Sequence, residues 1–208
     1  MAVEEIRSIN EVHEFDQLFD IYANSIPPEE QKSRLEVGRL LARPDYKIFI
    51  EKLDGIVRGF SIFYLSTNYD IALLEYMATD KSSRNQGIGA KLFLYGLASA
   101  SGRSILIEVD SDRENTPDRT IRIRRKNFYR RLGAHQIVGL DYKLPLPGKG
   151  EPPVMDLMLH PNGRDEPFTK HDVRYWLQDI YVNVYNQSRA DPRIIRMLDN
   201  LPNEIYLK

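Results

Sequence analysis

An apolar, strand-like run from Ile71 to Thr79 is followed by Arg84-Asn85-Gln86-Gly87-Ile88-Gly89-Ala90, which opens a helix-like run from Gly87 to Ser99. A strand, a loop with two glycines and a basic residue, and a helix start constrain this chain more than any other feature. The first N–H groups of a helix have no partner within it, they point outward, and the helix dipole favours negative charge there. Gly87 and Gly89 carry no Cβ, so a phosphate group can approach the backbone closely. The stretch therefore reads as a pyrophosphate cradle. It is not a Walker loop, because Ala90-Lys91-Leu92 follows Gly89 where Gly-Lys-Ser/Thr is needed. Nor is it the dinucleotide fingerprint, whose third glycine is replaced by Leu92.

Composition removes several alternatives. With 208 residues the chain is long enough to bury a sizeable core, and one domain with an appendage is expected. A net charge of −1 gives no general attraction to nucleic acid or to a membrane surface. The absence of cysteine excludes disulfides, thiolate metal sites and a cysteine nucleophile, and is compatible with a reducing cytoplasm. The four histidines, His13, His135, His160 and His171, have no metal-ligand spacing, so no metal is expected. Met1 to Glu5 is acidic and lacks the apolar core of a signal peptide. No apolar run approaches the roughly 20 residues of a membrane span.

Periodicity gives the element order. Ile6 to Ile9 reads as a first strand, and Asn10 as the cap of a helix with Val12, Phe15, Leu18, Phe19 and Tyr22 on one face. Pro27-Pro28 breaks it. Glu29 and Glu30 then read as first-turn acids of a second helix with Leu35, Val37, Leu40 and Leu41 as its apolar face. Tyr46 to Leu53 and Ile56 to Leu65 read as a hairpin around Asp54-Gly55. After the glycine loop come a strand from Ser104 to Val109, a polar loop, and a basic helix from Thr120 to Leu132 with Gly133 as its cap. Gln136 to Leu144 and Val154 to Leu159 read as the last strands, with a Pro/Gly loop from Pro145 to Pro153 between them. Val173, Trp176, Leu177, Ile180, Tyr181, Val184 and Tyr185 mark one apolar helical face beyond them. That helix reads as docked on the domain, as a homodimer contact, or as a lid over an acceptor site.

The pattern Arg-x-x-Gly-x-Gly/Ala resembles the acetyl-CoA signature of the GNAT superfamily of N-acetyltransferases. Glu75-Tyr76-Met77-Ala78-Thr79-Asp80 fits the strand that precedes the loop in that family. Asn127-Phe128-Tyr129-Arg130-Arg131-Leu132-Gly133-Ala134 resembles its later aromatic–tyrosine–glycine helix. The resemblance covers roughly residues 4–160. It implies an α/β fold, a mixed and mostly antiparallel sheet flanked by helices, in a domain over 1–164 with a C-terminal helical extension over 165–208. It implies acetyl-CoA as cosubstrate, held by the loop from Arg84 to Ala90 (Arg84, Asn85, Gln86, Gly87, Ile88, Gly89, Ala90) and by the backbone of Met77, Ala78 and Thr79. The acceptor would be a primary amine of a small molecule or peptide, with no nucleic-acid or membrane partner.

Acyl transfer to an amine has two proton problems, since the ammonium must lose a proton and the leaving thiolate needs one. Glu75 is the only carboxylate in the run before the loop, and Leu73, Leu74 and Met77 around it would make it a stronger base. Its alternative is a structural pairing with a cation. Tyr129 matches the family tyrosine that donates to the thiolate; its alternative is a core aromatic beside Phe128. Where the family commonly has a coenzyme-contacting asparagine, seven residues before the tyrosine, this chain has Arg122. Arg122 reads either as a phosphate contact or, with Arg119, Arg124, Arg125, Lys126, Arg130 and Arg131, as a solvated helix face. The loop from Ser25 to Gln31 would close over the acceptor. Its Glu29 and Glu30 read as an attraction for a cationic amine or as helix electrostatics. Against catalysis stands a coenzyme-binding regulatory module of the same fold; a nucleic-acid protein using the basic helix is the more distant alternative.

Overall fold

The structure is a computed structural model, and it describes residues 2–7, 12–145 and 154–208. In chain order the elements are β1 (Ala2–Ile6), α1 (Val12–Ser25), α2 (Arg34–Leu40), β2 (Tyr46–Leu53), β3 (Ile56–Leu65), β4 (Ile71–Thr79), α3 (Ile88–Ser99), β5 (Ser104–Asp110), α4 (Arg119–Arg131), β6 (His135–Gln136), β7 (Met155–His160), α5 (Lys170–Asn183) and α6 (Pro192–Leu198). They fall into two compact units, Met1–Leu65 with Leu74–Ser101 and Ser66–Leu73 with Gly102–Lys208, so β4 contributes to both. The expected mixed α/β architecture with a mostly antiparallel sheet is present.

In the first unit the strands follow the order β1-β2-β3-β4, and the β1/β2 and β2/β3 ladders are antiparallel. Asp54 and Gly55 turn the hairpin with φ of 53° and 77°, and two positive φ values are what a two-residue turn between twisted strands requires. Ile48, Phe49, Ile50, Phe60, Ile62 and Phe63 of the hairpin are buried. Helix α3 lies close on this layer because residue 96 is glycine. A Cβ there would sit 2.2 Å from the Phe63 ring.

Two expectations in this unit are corrected. The first strand runs Ala2–Ile6 rather than Ile6 to Ile9, pairing from Ala2↔Lys52 to Ile6↔Ile48. It is an edge strand carrying Glu4 and Glu5, so it lacks the apolar alternation by which strands are read. The second helix starts later than expected: Pro28–Glu30 is a single 3₁₀ turn, and α2 begins at Arg34 behind Ser33. The Ser33 hydroxyl accepts from the Glu36 N–H at 3.3 Å, and the Glu36 carboxylate accepts from the Ser33 N–H at 2.8 Å. This reciprocal cap fixes the start of α2, so Glu29 and Glu30 are not in its first turn. Asn10 and most of the Pro145 to Pro153 loop lie outside the described residues.

In the second unit the order is β4-β5-β7-β6, with antiparallel β5/β7 and β6/β7 ladders. The expected strand from Gln136 to Leu144 is reduced to His135–Gln136. Gly139, at φ 83°, turns the chain away, and Ile137 instead bridges Leu207 while Val138 N–H donates to Tyr206 O at 2.9 Å. The C-terminal segment is thereby tied to β6. Its helix α5 buries Val173, Trp176, Leu177, Ile180 and Tyr181, and its Thr169–Asp172 capping box repeats the device of α2. Helix α6, which the sequence pattern does not announce, starts at Pro192 behind the Asp191 cap. The Glu108 carboxylate of β5 accepts hydrogen bonds from the hydroxyls of Tyr142 and Tyr185. Burial, and then the Glu108 charge, push the Tyr142 phenol well up from its ordinary value.

The basic face of α4 is not simply solvated. Lys126 is 3% exposed and its Nζ lies 2.9 Å from Asp156 and 2.5 Å from Asp112. Burial would raise the Asp112 carboxyl, but the hydrogen bond and charge of Lys126 hold it below its ordinary value. Arg122 pairs with Asp118 at 2.9 Å and donates to the Ser111 carbonyl at 3.0 Å. Its guanidinium thus ties the cap of its own helix to the residue that follows β5. No helix of the described residues is long and apolar enough to cross a membrane.

Candidate active site

In the first unit β4 runs into the glycine loop through a 3₁₀ turn, Lys81–Ser83, whose cap is Asp80. The Asp80 side chain accepts from Ser82 N–H at 3.0 Å, and Asp80 N–H donates to Arg58 O at 2.9 Å. Arg84 is extended and exposed, Asn85 is left-handed at φ 63°, and Gly87 is left-handed at φ 80°. Gly87 is the N-cap of α3 and, having no side chain, cannot satisfy the first-turn N–H groups of Ile88, Gly89 and Ala90. Nothing lies within 4 Å of where a Gly87 Cβ would stand. An uncapped helix start behind an open glycine and an exposed arginine fits a phosphate group.

Gly59 of β3 sets the spacing behind this loop. A Cβ at Gly59 would lie 2.9 Å from Ala78 O, 3.0 Å from Ile88 Cγ2 and 3.1 Å from Leu92 Cδ1. One missing side chain therefore lets β3 approach both the Met77–Thr79 end of β4 and the first turn of α3. Farther along the layer, Lys91 of α3 pairs with the fully buried Glu51 of β2 at 3.2 Å.

Glu75 sits two residues before Met77, and its side chain is 1% exposed. Its Oε1 accepts from Lys32 Nζ, while its Oε2 is buried and has no hydrogen-bond partner among the described residues. Lys32 lies just past the loop expected to cover the acceptor, and that loop is bonded down. Its own N–H donates to the Tyr22 hydroxyl at 2.7 Å, its Nζ is 3.4 Å from the Tyr76 hydroxyl, and that hydroxyl donates to Glu30 O at 3.0 Å. Gln31 donates to the carbonyls of Ile26 and Ala23 at 2.6 and 3.0 Å. The hydroxyl of Tyr46 is buried without a hydrogen bond of standard geometry; burial first, and then the nearby Glu75 carboxylate, push its pKa well up. The sequence reading misses Lys32 and Tyr46, which reach Glu75 only through long-range folding. It also misses Gly59, although a glycine in the middle of an apolar strand is a signal for close backbone approach.

In the second unit Tyr129 is buried on α4, edge-on to Phe128 with ring centroids 5.0 Å apart. Burial pushes its phenol up to about 12, with a small opposing effect from Arg125.

Residues 44–133, which contain Glu75, the glycine loop and Tyr129, match the family described as an acetyltransferase (GNAT) domain. Over this segment the chain is similar to the GNAT family. The fold agrees over a longer span. A putative GNAT-family acetyltransferase from Bacteroides thetaiotaomicron aligns with 89% of this chain and 98% of its own, at TM-score 0.71 and 24% identity. The ribosomal-protein-S18-alanine N-acetyltransferase from Escherichia coli aligns over 79% and 96%, at TM-score 0.57 and 17% identity. An aminoglycoside 6'-N-acetyltransferase complexed with coenzyme A aligns over 76% and 95%, at TM-score 0.57 and 21% identity. No curated protein matches the chain.

Proposed function

We propose that this protein is a GNAT-type, acetyl-CoA-dependent N-acetyltransferase whose acceptor is a primary amine of a small molecule or peptide. The observation that carries the reading is the start of α3: an open, left-handed Gly87 that leaves three helix N–H groups uncapped beside an exposed Arg84. The family match over 44–133 and the coenzyme A complex of one structural neighbour support it. When bound, the thioester supplies an activated acetyl group. The Arg84–Ala90 loop holds the phosphates, with its N–H groups and the Arg84 charge as donors. The backbone of Met77, Ala78 and Thr79 holds the pantetheine arm as an added strand would be held. Glu75 takes the proton of the acceptor ammonium, directly or by way of water. Tyr129 donates to the leaving sulfur.

The two neighbours named for their acceptors act on a protein alanine and on aminoglycosides, which brackets the acceptor only as an amine. The test is a panel of amines incubated with acetyl-CoA while free thiol is followed. Amine-dependent thiol release supports the reading. The Lys32 ion pair on Glu75 favours one alternative, a module that binds coenzyme without turnover. Saturable coenzyme binding with no thiol release from any amine would establish that instead.

A further inference from the structure

We propose that Lys32 is itself an acetyl acceptor, so that the protein modifies its own candidate active site when no external amine is present. The inference rests on the reading of Glu75 as the base. A general base must lie within hydrogen-bond reach of the proton it removes. Among the described residues the amine so placed on Glu75 is Lys32 Nζ. The Lys32 side chain is 22% exposed, whereas Glu75 is 1% exposed, so the amine stands at the open side of a buried carboxylate. It also borders Tyr76, and the next three residues of β4 are those proposed to hold the pantetheine arm. Acyl donor, amine and base are thus all assigned to one stretch of β4 and the loop laid against it.

The chemistry balances with acetyl-CoA as the only co-reactant. Lys32 Nζ loses a proton to Glu75, and its lone pair forms the new C–N bond to the acetyl carbon. The C–S bond breaks with its electron pair on sulfur, which takes up the equivalent of the second proton that the nitrogen sheds as it becomes an amide. The products are an amide at Lys32 and free coenzyme A. Acetylation removes the Lys32 positive charge, so Glu75 loses its counter-ion. Buried carboxylates left without a partner are costly, which makes the modification a change of state of the site and not a surface mark.

The experiment incubates the full chain with isotopically labelled acetyl-CoA and no added amine, then maps the label by peptide mass spectrometry. The expected result is label concentrated at Lys32, appearing at a rate per molecule that does not depend on protein concentration. It should fall at least about tenfold in Glu75→Gln, the lower part of what one general base supplies. Lys32→Arg, which keeps the positive charge, should carry no label there. A second readout needs no turnover: coenzyme A should protect Lys32, but not the exposed Lys208, from reductive methylation. Label spread evenly over exposed lysines, a rate unchanged in a folded Glu75→Gln, or the absence of protection would overturn the proposal. Should Glu75→Gln fail to fold, a rate that rises with protein concentration overturns it alone. Failure of coenzyme A to bind at all would remove the proposed function as well. Turnover of an external amine with Lys32 unlabelled would remove only this inference.

Discussion

Gly59→Ala is expected to damage the candidate site from behind. The added methyl would stand 2.9 Å from the Ala78 carbonyl oxygen, a backbone atom that cannot rotate away, and 3.0 and 3.1 Å from the side chains of Ile88 and Leu92. Either β4 moves off β3 at the residues assigned to the pantetheine arm, or α3 tilts at the turn assigned to phosphate. Overpacking of this kind costs about 1–3 kcal/mol. In a chain of this length each kcal/mol lowers the melting temperature by about 2–4 °C, so a fall of roughly 2–12 °C follows. Coenzyme A affinity, measured by calorimetry well below the melt, should fall by about tenfold, because a donor displaced by a few tenths of an ångström forfeits a large part of a charge-assisted hydrogen bond. Gly55→Ala is the control. Gly55, unlike Gly59, sits at positive φ and has nothing within 4 Å of where a Cβ would stand, so its substitution should cost stability through backbone strain without touching affinity. A Gly59→Ala protein with native melting temperature and native affinity would refute the idea that this contact sets the site.

Gly87→Asp should abolish measurable coenzyme A binding by calorimetry, since it puts a carboxylate at the uncapped start of α3 where the phosphate is assigned. Tyr129→Phe should keep coenzyme affinity and lower turnover by about 10- to 1,000-fold, the range of one lost acid or oxyanion-type donor. Because burial raises the Tyr129 phenol to about 12, above its ordinary value near 10, the neutral form is favoured by folding. Its contribution to stability is therefore complete below about pH 10 and lost as pH rises through about 12, so Tyr129→Phe should flatten alkaline unfolding curves in that window. Lys126→Ala should cost about 3–5 kcal/mol in denaturant melts, toward the lower end because Arg113 also approaches Asp156 at 3.2 Å. Glu75→Gln should depress turnover most near neutral pH and least at high pH, where the acceptor amine is already free; an even loss across pH would assign Glu75 to structure alone.

Much of the fold could be read from local signals because those signals are strong where the chain is buried. The hairpin from Tyr46 to Leu65 and the strand Ile71–Thr79 have the bounds their apolar runs predict, and Asp54-Gly55 has the backbone that pair favours. The misreadings fall where burial is slight or a short polar device sets the boundary. β1 is legible only as the partner of β2, since two of its five residues are acidic. The start of α2 depends on Ser33 and Glu36, a capping pair three residues apart that outweighs the more conspicuous Pro-Pro-Glu-Glu before it. The strand after α4 fails at Gly139, where one left-handed residue turns the chain toward the C-terminal segment.

The candidate site divides the same way. The glycine loop is legible because a helix start, a missing Cβ and a cation are properties of consecutive residues. The state of Glu75 is not, because it depends on residues far away in sequence. Apolar neighbours on its own strand argue for a carboxylate in a poorly solvating pocket, and the side chain is indeed buried. What strand spacing cannot supply is the ion pair from Lys32, carried in by a loop that Tyr22, Tyr76 and Gln31 hold in place. That pair engages one carboxylate oxygen with a fixed cation, and the buried Tyr46 hydroxyl lies near the same carboxylate. The state of Glu75 is thus set by a cation carried in from another element as much as by the apolar neighbours on its own strand.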